Sequence, residues 1–325
     1  MTEAKVTALR SIELGVPDLK ASMEFYTSVW GLEAVTADGD AVYLRGTGAE
    51  HHVVTLRQQP KASLLGVHFA ASSRQAVDQL HAKAMGYGAT VISAPISLPG
   101  AAGGGYGFAF RTPDGQPLNI SADVSRHTDV LQDSSRPKGL THVVLNSADV
   151  GKQTSFFVDL LGFKLSDSTE IMEFIRCGTD HHSVALARGQ GPSLNHMAYE
   201  MDDIDGLMLG SGRMKRSGFN LEWGVGRHGP GNNIFSYFIE PNGFVAEYTT
   251  GMEHIEDANY SPGTADYWSK FPLRPCRWGM AMRPSDRIKK AMAGRLESDA
   301  ETTPLCEDVI ARKRAGQASA EISRQ

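Results

Sequence analysis

The chain has 325 residues, a length that favours about two domains. Apolar residues make up 41% and charged residues 21%, ordinary values for a globular chain with a core in each half. The net charge of −5, without a long basic run, argues against a nucleic-acid or anionic membrane partner, and no window nears the roughly 18 apolar residues of a membrane span.

The opening stretch "MTEAKVTALRSIELGV" lacks the apolar centre of a signal peptide. It contains the first alternating apolar run, typical of a strand. Asp18 then opens a helix-like segment with aromatic residues on one face, which stops at Gly31. "HHVVTLRQQPKASLLGVHFAAS" reads as strand, polar loop, strand, and Ser73 to Gly86 as a second helix. "GFAFRTPDGQPLNIS" reads as a hairpin, because Pro presets φ and Gly tolerates positive φ in the Pro-Asp-Gly turn. Ser125 to Gly139 is polar and reads as a linker.

The same order then repeats, the mark of a duplication. "LTHVVLNSADVGKQTSFFVDLLGFKLS" matches the stretch from Leu9, with Asp149 and Gly162 at the helix ends. "HHSVALARGQGPSLNHMAYEM" matches the first double-histidine segment, Asp203 to Gly218 the second helix, and "FSYFIEPNGFVAEYT" the hairpin. Each half is expected to be βαβ-like, with about eight short strands and two helices. The expected organisation is residues 1–125, 138–255 and an extension over 256–325 that matches neither copy. The three cysteines, Cys177, Cys276 and Cys306, are few, odd in number and far apart. They make neither a disulfide framework nor a CxxC zinc site, so a reducing, cytoplasmic setting is expected.

The repeat acts as its own control. The second half carries His142, His196 and Glu247; reading them across the repeat gives Ser11, His68 and Asn119. Two histidines and a carboxylate match the facial set of non-haem Fe(II) oxygenases, which leaves metal positions open. Ser and Asn bring no charge to hold a divalent ion, so metal is expected in the second half alone. Any one of these residues is ordinary; all three at matching places in a repeat are specific. "GPGNN" after His228 and "GAAGGGYG" near Gly100 lack the strand, lysine and helix start of a phosphate loop.

These residues carry a resemblance. In "GLTHVVL", "DHHSVAL", "LNHMAYE", "GRHGPGNNIFSYF" and "PNGFVAEYT" the second half resembles the type I extradiol ring-cleaving dioxygenases of the vicinal oxygen chelate superfamily. The resemblance spans about Leu9 to Thr250 in architecture. It implies an α+β fold of two tandem modules of paired βαβββ units, each an open funnel, with Fe(II) or Mn(II) in the C-terminal one. It implies His142, His196 and Glu247 as ligands, and His182, fourteen residues before His196, as a proton acceptor and donor. His228 and Tyr237, nine residues apart, are implied to hydrogen-bond the substrate oxygens. The implied reaction inserts both atoms of O₂ into a catechol and gives an open-chain product, in a protein that assembles into multimers.

By strand alternation, His181 is expected to face away from His182 as a surface or structural residue. His52, its counterpart in the first half, has no metal to serve. Asn146, Phe174, Trp223 and Phe235 are expected around the substrate by strand proximity, and Arg227 and Arg176 are near enough to meet a carboxylate. "TADYWSKFPLRPCRWGMAM" in the extension reads as a packing arm or as a lid, "PSDRIKKAMAGRLES" as a helix capped by Ser or Asp, and the last 20 residues as a mobile tail. Two other readings keep the fold: a metal-dependent isomerase, epimerase, thiol transferase or 2-oxoacid-dependent enzyme, and a silent ligand-sequestering protein.

Overall fold

The computed structural model describes residues 4–273 and 275–296. Apolar strands dominate it, and they form two eight-stranded sheets of the same design. In the first, β1 (Val6–Val16) lies inside the order β2 (Glu33–Asp38), β3 (Ala41–Arg45), β4 (Val54–Gln58), β1, β5 (Ser63–Ala71), β8 (Pro117–Ala122), β7 (Tyr106–Arg111), β6 (Thr90–Ser97). The second runs β10 (Lys164–Ser168), β11 (Met172–Arg176), β12 (Val184–Arg188), β9 (Gly139–Ser147), β13 (Ser193–Glu200), β16 (Val245–Thr250), β15 (Ile234–Ile239), β14 (Trp223–Arg227). β1 pairs with β4, and β5 with β8, in parallel; β9 with β12, and β13 with β16, do the same. The remaining neighbours are antiparallel. The fold is α+β: two tandem modules of open, curved sheet.

The helices sit where the sequence caps them. Asp18 accepts from Ala21 N at the start of α1 (Leu19–Phe25), and Asp149 from Lys152 N at the start of α3 (Val150–Leu161), satisfying amides that have no partner inside the helix. Ser73 and Asp203 do the same for α2 (Arg74–Gly86) and α4 (Ile204–Arg216). α1 departs from its copy. It widens into a π turn over Tyr26–Trp30 before Gly31, whose φ of 102° suits glycine alone. That turn delivers Trp30 into the second module. Its ring stacks on Tyr248 with centroids 3.9 Å apart, and its carbonyl accepts from Tyr248 Oη at 2.6 Å and Arg213 Nη2 at 2.9 Å. One continuous apolar core runs through both modules as a result.

The register corrects one equivalence read from sequence. Val143 pairs with Met197 as Ile12 pairs with Val67, and His196 pairs with Val144 as Gly66 pairs with Glu13. Both strands bulge one residue earlier, at Asn195 and at Leu65. The counterpart of His196 is therefore Gly66, and His68 matches Ala198. A string comparison cannot see a bulge, so it matched the two histidines instead.

Past the second module, α5 (Ala265–Ser269) and α6 (Asp286–Met292) belong to the extension. Ser285 caps α6 by accepting from Ile288 N. Cys177 and Cys276 are free thiols; Cys306 and the polar tail lie outside the described residues. Among the described residues no helix is long and apolar enough to cross a membrane.

Candidate metal centre and active site

Three neighbouring strands build the centre. His142 on β9 pairs with Ala198 on β13, and Ala198 pairs with Glu247 on β16, so the three form one row across the sheet. The small Ala198 leaves room over the middle of that row. His196 stands two residues before it, on the same face. His142 Nε2 and His196 Nε2 each lie 3.3 Å from the same oxygen of Glu247, Oε2. Glu247 is fully buried, and no Lys or Arg among the described residues pairs with it. Burial alone would raise its carboxyl, but the two imidazoles hold it below the usual carboxylate range. Among the described residues, its Oε2 meets no donor in hydrogen-bond geometry and His142 Nδ1 has no partner. A buried acid with an undonated oxygen, met by two imidazole nitrogens, suits a divalent cation. The three ligand atoms lie within 4.8 Å of one another, and they are the one such group among the described residues.

The first module closes the equivalent place. Its row is Ser11, His68, Asn119. His68 fills the middle, with Nε2 3.4 Å from Asn119 Nδ2 and 3.4 Å from Glu13 Oε2. A Cβ on Gly66 would fall 2.5 Å from Asn119 Nδ2 and 2.9 Å from His68 Nε2, so a side chain like His196 has no space there.

Around the second-module centre, His196 is oriented by an amide chain that the sequence reading missed. Its Nδ1 meets Asn195 Oδ1 at 2.8 Å, and Asn195 Nδ2 donates to Asn146 Oδ1 at 3.0 Å. Asn146 Nδ2 in turn donates to Met292 O of α6 and to Ser193 Oγ. With Nδ1 engaged as the donor, His196 Nε2 keeps its lone pair for a cation. The bulge brings the Asn195 side chain into this chain, so no plain alternation pattern reveals it. Asn233, in the turn after His228, donates to Thr249 Oγ1 at 2.8 Å and reaches Glu247 Oε1 at 3.4 Å.

His182, His228 and Tyr237 surround the same space. His182 lies against His142, ring centroids 4.4 Å apart, and Phe174 meets it edge-on at 5.1 Å. Burial, then the neighbouring imidazoles, lower its pKa well below the usual histidine value. His228 Nε2 is 3.0 Å from Tyr237 Oη; burial pushes the imidazole down to about 4, so it is neutral at pH 7. Burial, then Glu247, raises the Tyr237 phenol well above its ordinary value, so it keeps its proton.

These groups line a cavity of about 850 Å³, at the large end for ligand pockets. Asn146, Phe174 and Trp223 line it as expected from their strands. Phe235 does not. It is fully buried behind His228, stacked on that ring at 3.9 Å, and it belongs to the core under α6. Strand proximity placed it on the right face, but the ring of His228 lies over it. Arg176 is tied to Asp257, Ser166 and Leu165 O, and Arg227 to Asn232 O; neither lines the cavity. The far wall comes from the extension, through Trp268, Met282 and Met292. The extension also packs: Ile288 and Ala291 bury against Phe235, Ile239 and Val245, and Trp223 Nε1 donates to Ala281 O.

His181 takes the structural rather than the surface place, but it does not turn away from His182. It is completely buried, and the loop that carries it is not strand, so alternation does not govern its direction. Its Nδ1 sits 3.0 Å from His182 Nδ1, and its Nε2 sits 3.0 Å from Asp167 Oδ2.

A family model described as Glyoxalase/Bleomycin resistance protein/Dioxygenase superfamily matches residues 8–120 and again 139–248, one match per sheet. The chain belongs to this superfamily. Within it, the chain resembles the type I extradiol dioxygenases. It is similar to metapyrocatechase 2 of Cupriavidus necator, 34% identical over 122 residues, which are 37% of this chain and 38% of that one. It is also similar to the manganese-dependent 2,3-dihydroxybiphenyl 1,2-dioxygenase of Geobacillus genomosp. 3, at 25% identity over 80% of this chain and 90% of that one. Among solved structures it is similar to the Mn(II)-bound glyoxalase from Novosphingobium aromaticivorans, with 38% identity, a TM-score of 0.81, and coverage of 87% of this chain and 94% of that one.

Proposed function

We propose that this chain is an extradiol ring-cleaving dioxygenase of aromatic catabolism. It inserts both atoms of O₂ into a catechol-type ring beside the vicinal hydroxyls. The observation that carries this reading is the convergence of His142 and His196 on one buried oxygen of Glu247, with His182, His228 and Tyr237 facing the same cavity. In the reading, His142, His196 and Glu247 hold a divalent ion, Fe(II) or Mn(II), both of which accept this donor set. When bound, such an ion would acidify the catechol hydroxyls.

The protein groups divide the remaining work. His182 presents an imidazole to the cavity that takes a substrate proton and returns it. Tyr237 and His228 are hydrogen-bonded to each other; with neutral His228 donating from Nε2 to Tyr237 Oη, the Tyr237 hydroxyl is free to donate to substrate oxygen as charge grows there. Phe174 and Trp223 hold the ring by its faces, and Asn146 supports His196 through Asn195. The cavity leaves much of its space unfilled by a single ring, so the reading includes a bulky apolar substituent on the catechol. Residues 1–125 and 138–255 are taken as the two modules and 256–325 as the extension that closes the cavity, in a homo-oligomer of the reducing cytoplasm.

The test is anaerobic loading with Fe(II) or with Mn(II), then addition of a substituted catechol and O₂. A yellow ring-fission product with stoichiometric oxygen uptake is expected. A second reading, a metal-dependent glyoxalase-type isomerase, takes its support from the name of the Novosphingobium structure. That reading consumes no oxygen and has no work for the His182, His228 and Tyr237 set. Turnover of a hemithioacetal without oxygen uptake would select it.

A further inference from the structure

The same double histidine occurs in both modules with the same geometry. His51 and His52 have ring centroids 5.3 Å apart at 88°, and their Nδ1 atoms are 3.0 Å apart. His181 and His182 give 5.3 Å, 89° and 3.0 Å. An aromatic ring meets the second histidine edge-on at 5.1 Å in each: Tyr43 on His52, Phe174 on His182. One partner differs. Asp167 pairs with Phe174 in the second sheet, and Thr36 pairs with Tyr43 in the first, each just after a bulge. Among the described residues, only the module with the His, His, Glu centre places a carboxylate on the first histidine of the pair.

The geometry points to Asp167 as a positioning residue that sets, through His181, the tautomer of His182. Asp167 is buried and accepts from three sides: Oδ2 from His181 Nε2, and Oδ1 from Tyr260 Oη at 3.1 Å and Gly263 N at 2.6 Å. A carboxylate can only accept, so His181 carries its proton on Nε2. With that single proton on its ring, His181 keeps a lone pair on Nδ1, and His182 donates to it from its own Nδ1. This leaves His182 Nε2 unprotonated, and that atom bonds nothing else among the described residues. Gly231 seals the pair. A Cβ there would lie 3.1 Å from His182 Cε1 and 3.2 Å from His181 Nδ1, so the bare glycine lets the backbone close over the buried pair. The relay turns a fixed negative charge at Asp167 into an unprotonated nitrogen on His182. His182 is the residue that the proposed ring cleavage needs as proton acceptor, and the catalytic part of the inference rests on that reading.

Asp167→Asn tests it at constant volume. The Gly263 amide can only donate, so the remaining oxygen must stay on its side. The new NH₂ then faces His181 Nε2. His181 must accept there, donate from Nδ1, and force His182 into the Nε2–H form. Long-range ¹H–¹⁵N spectra of the metal-free protein read this directly. Nδ1–H is expected on His182 in the parent protein and Nε2–H in Asp167→Asn. In the loaded enzyme the same variant is expected to lose about 10²-fold or more in kcat, with metal content kept and KM for the catechol within about threefold, as a wrong tautomer does in a serine-protease triad. Tyr260→Phe removes the extension's hydroxyl from the same carboxylate and is expected to leave tautomer and kcat as they were. Asp167→Thr places the first module's residue at this position and is expected to give mixed tautomers, so it covers a failure of Asp167→Asn to fold. The inference is overturned if His182 keeps Nδ1–H in Asp167→Asn and Asp167→Thr, or if Asp167→Asn lowers kcat no more than Tyr260→Phe. Absence of oxygen uptake by the parent protein with every catechol would sink the proposed function instead and leave the tautomer result standing.

Discussion

His182 and Glu247 both neighbour His142 yet are expected to fail differently when changed. His182→Ala removes an imidazole that faces the cavity but is not placed as a ligand. It is expected to retain metal while kcat falls on the order of 10²–10⁴-fold, the usual worth of a positioned acid–base group. Metal analysis and steady-state kinetics on the same preparation check this; loss of the metal would show that the ligands have been misassigned. Glu247→Gln leaves two neutral imidazoles and no charge against a divalent ion, so metal content is expected to collapse along with activity. The residues that make up the centre could be read from the chain because chemistry limits them: few residue types serve as ligands, and a duplicated partner exposes the difference. Asp167 could not be read that way. It reaches His181 only through the pairing of β10 with β11, fourteen positions away.

At the scale of elements, helix caps and turns were legible, since Asp18, Ser73, Asp149 and Asp203 act on amides three residues on. The bulges at Leu65 and Asn195 were not, because a bulge is set by the neighbouring strand rather than by the bulging residues. The docking of α6 was hidden for the same reason: its partners come from β15 and β16. Ile288 is the completely buried anchor of that helix. Ile288→Ala is expected to cost on the order of 2–4 kcal/mol of docking energy. Because α6 is held through the few side chains it buries under β15 and β16, the cost should appear as local opening. Hydrogen exchange is expected to show lost protection over α6, and KM for a bulky catechol to rise, with the main thermal transition nearly unmoved. A fall of the whole transition would mean that α6 belongs to the common core.

Across the whole molecule, the two modules depend on one another through Trp30. Trp30→Ala removes the stack on Tyr248 from a core shared by both sheets. It is expected to destabilise by about 3–5 kcal/mol and to lower one common melting transition rather than split it, which calorimetry would show. A second dependence is on acidity. Glu240 is buried in the turn that joins Asn242 to Ser22 of the first module, and burial pushes its carboxyl up to about 7 despite the amides of Asn242 and Phe244. Its folded value exceeds its unfolded value of 4.5, so between these limits the folded chain holds more protons. Its contribution is therefore full below about 4.5 and is lost as pH rises through about 7. Glu240→Gln is expected to flatten that slope, measured as melting temperature from pH 5 to 8; an unchanged slope would place its origin elsewhere.

The ring of His68 gives the duplication a direction. Putting histidines at positions 11 and 66 and a glutamate at 119 would reproduce the ligand alphabet of the working half, yet the newcomer at 66 would collide with the imidazole already resident there. A centre in the first half therefore needs a fourth change, His68→Ala, made before the others. His68 thus acts as a ratchet: it leaves the architecture intact while shutting the shortest mutational road to a second centre.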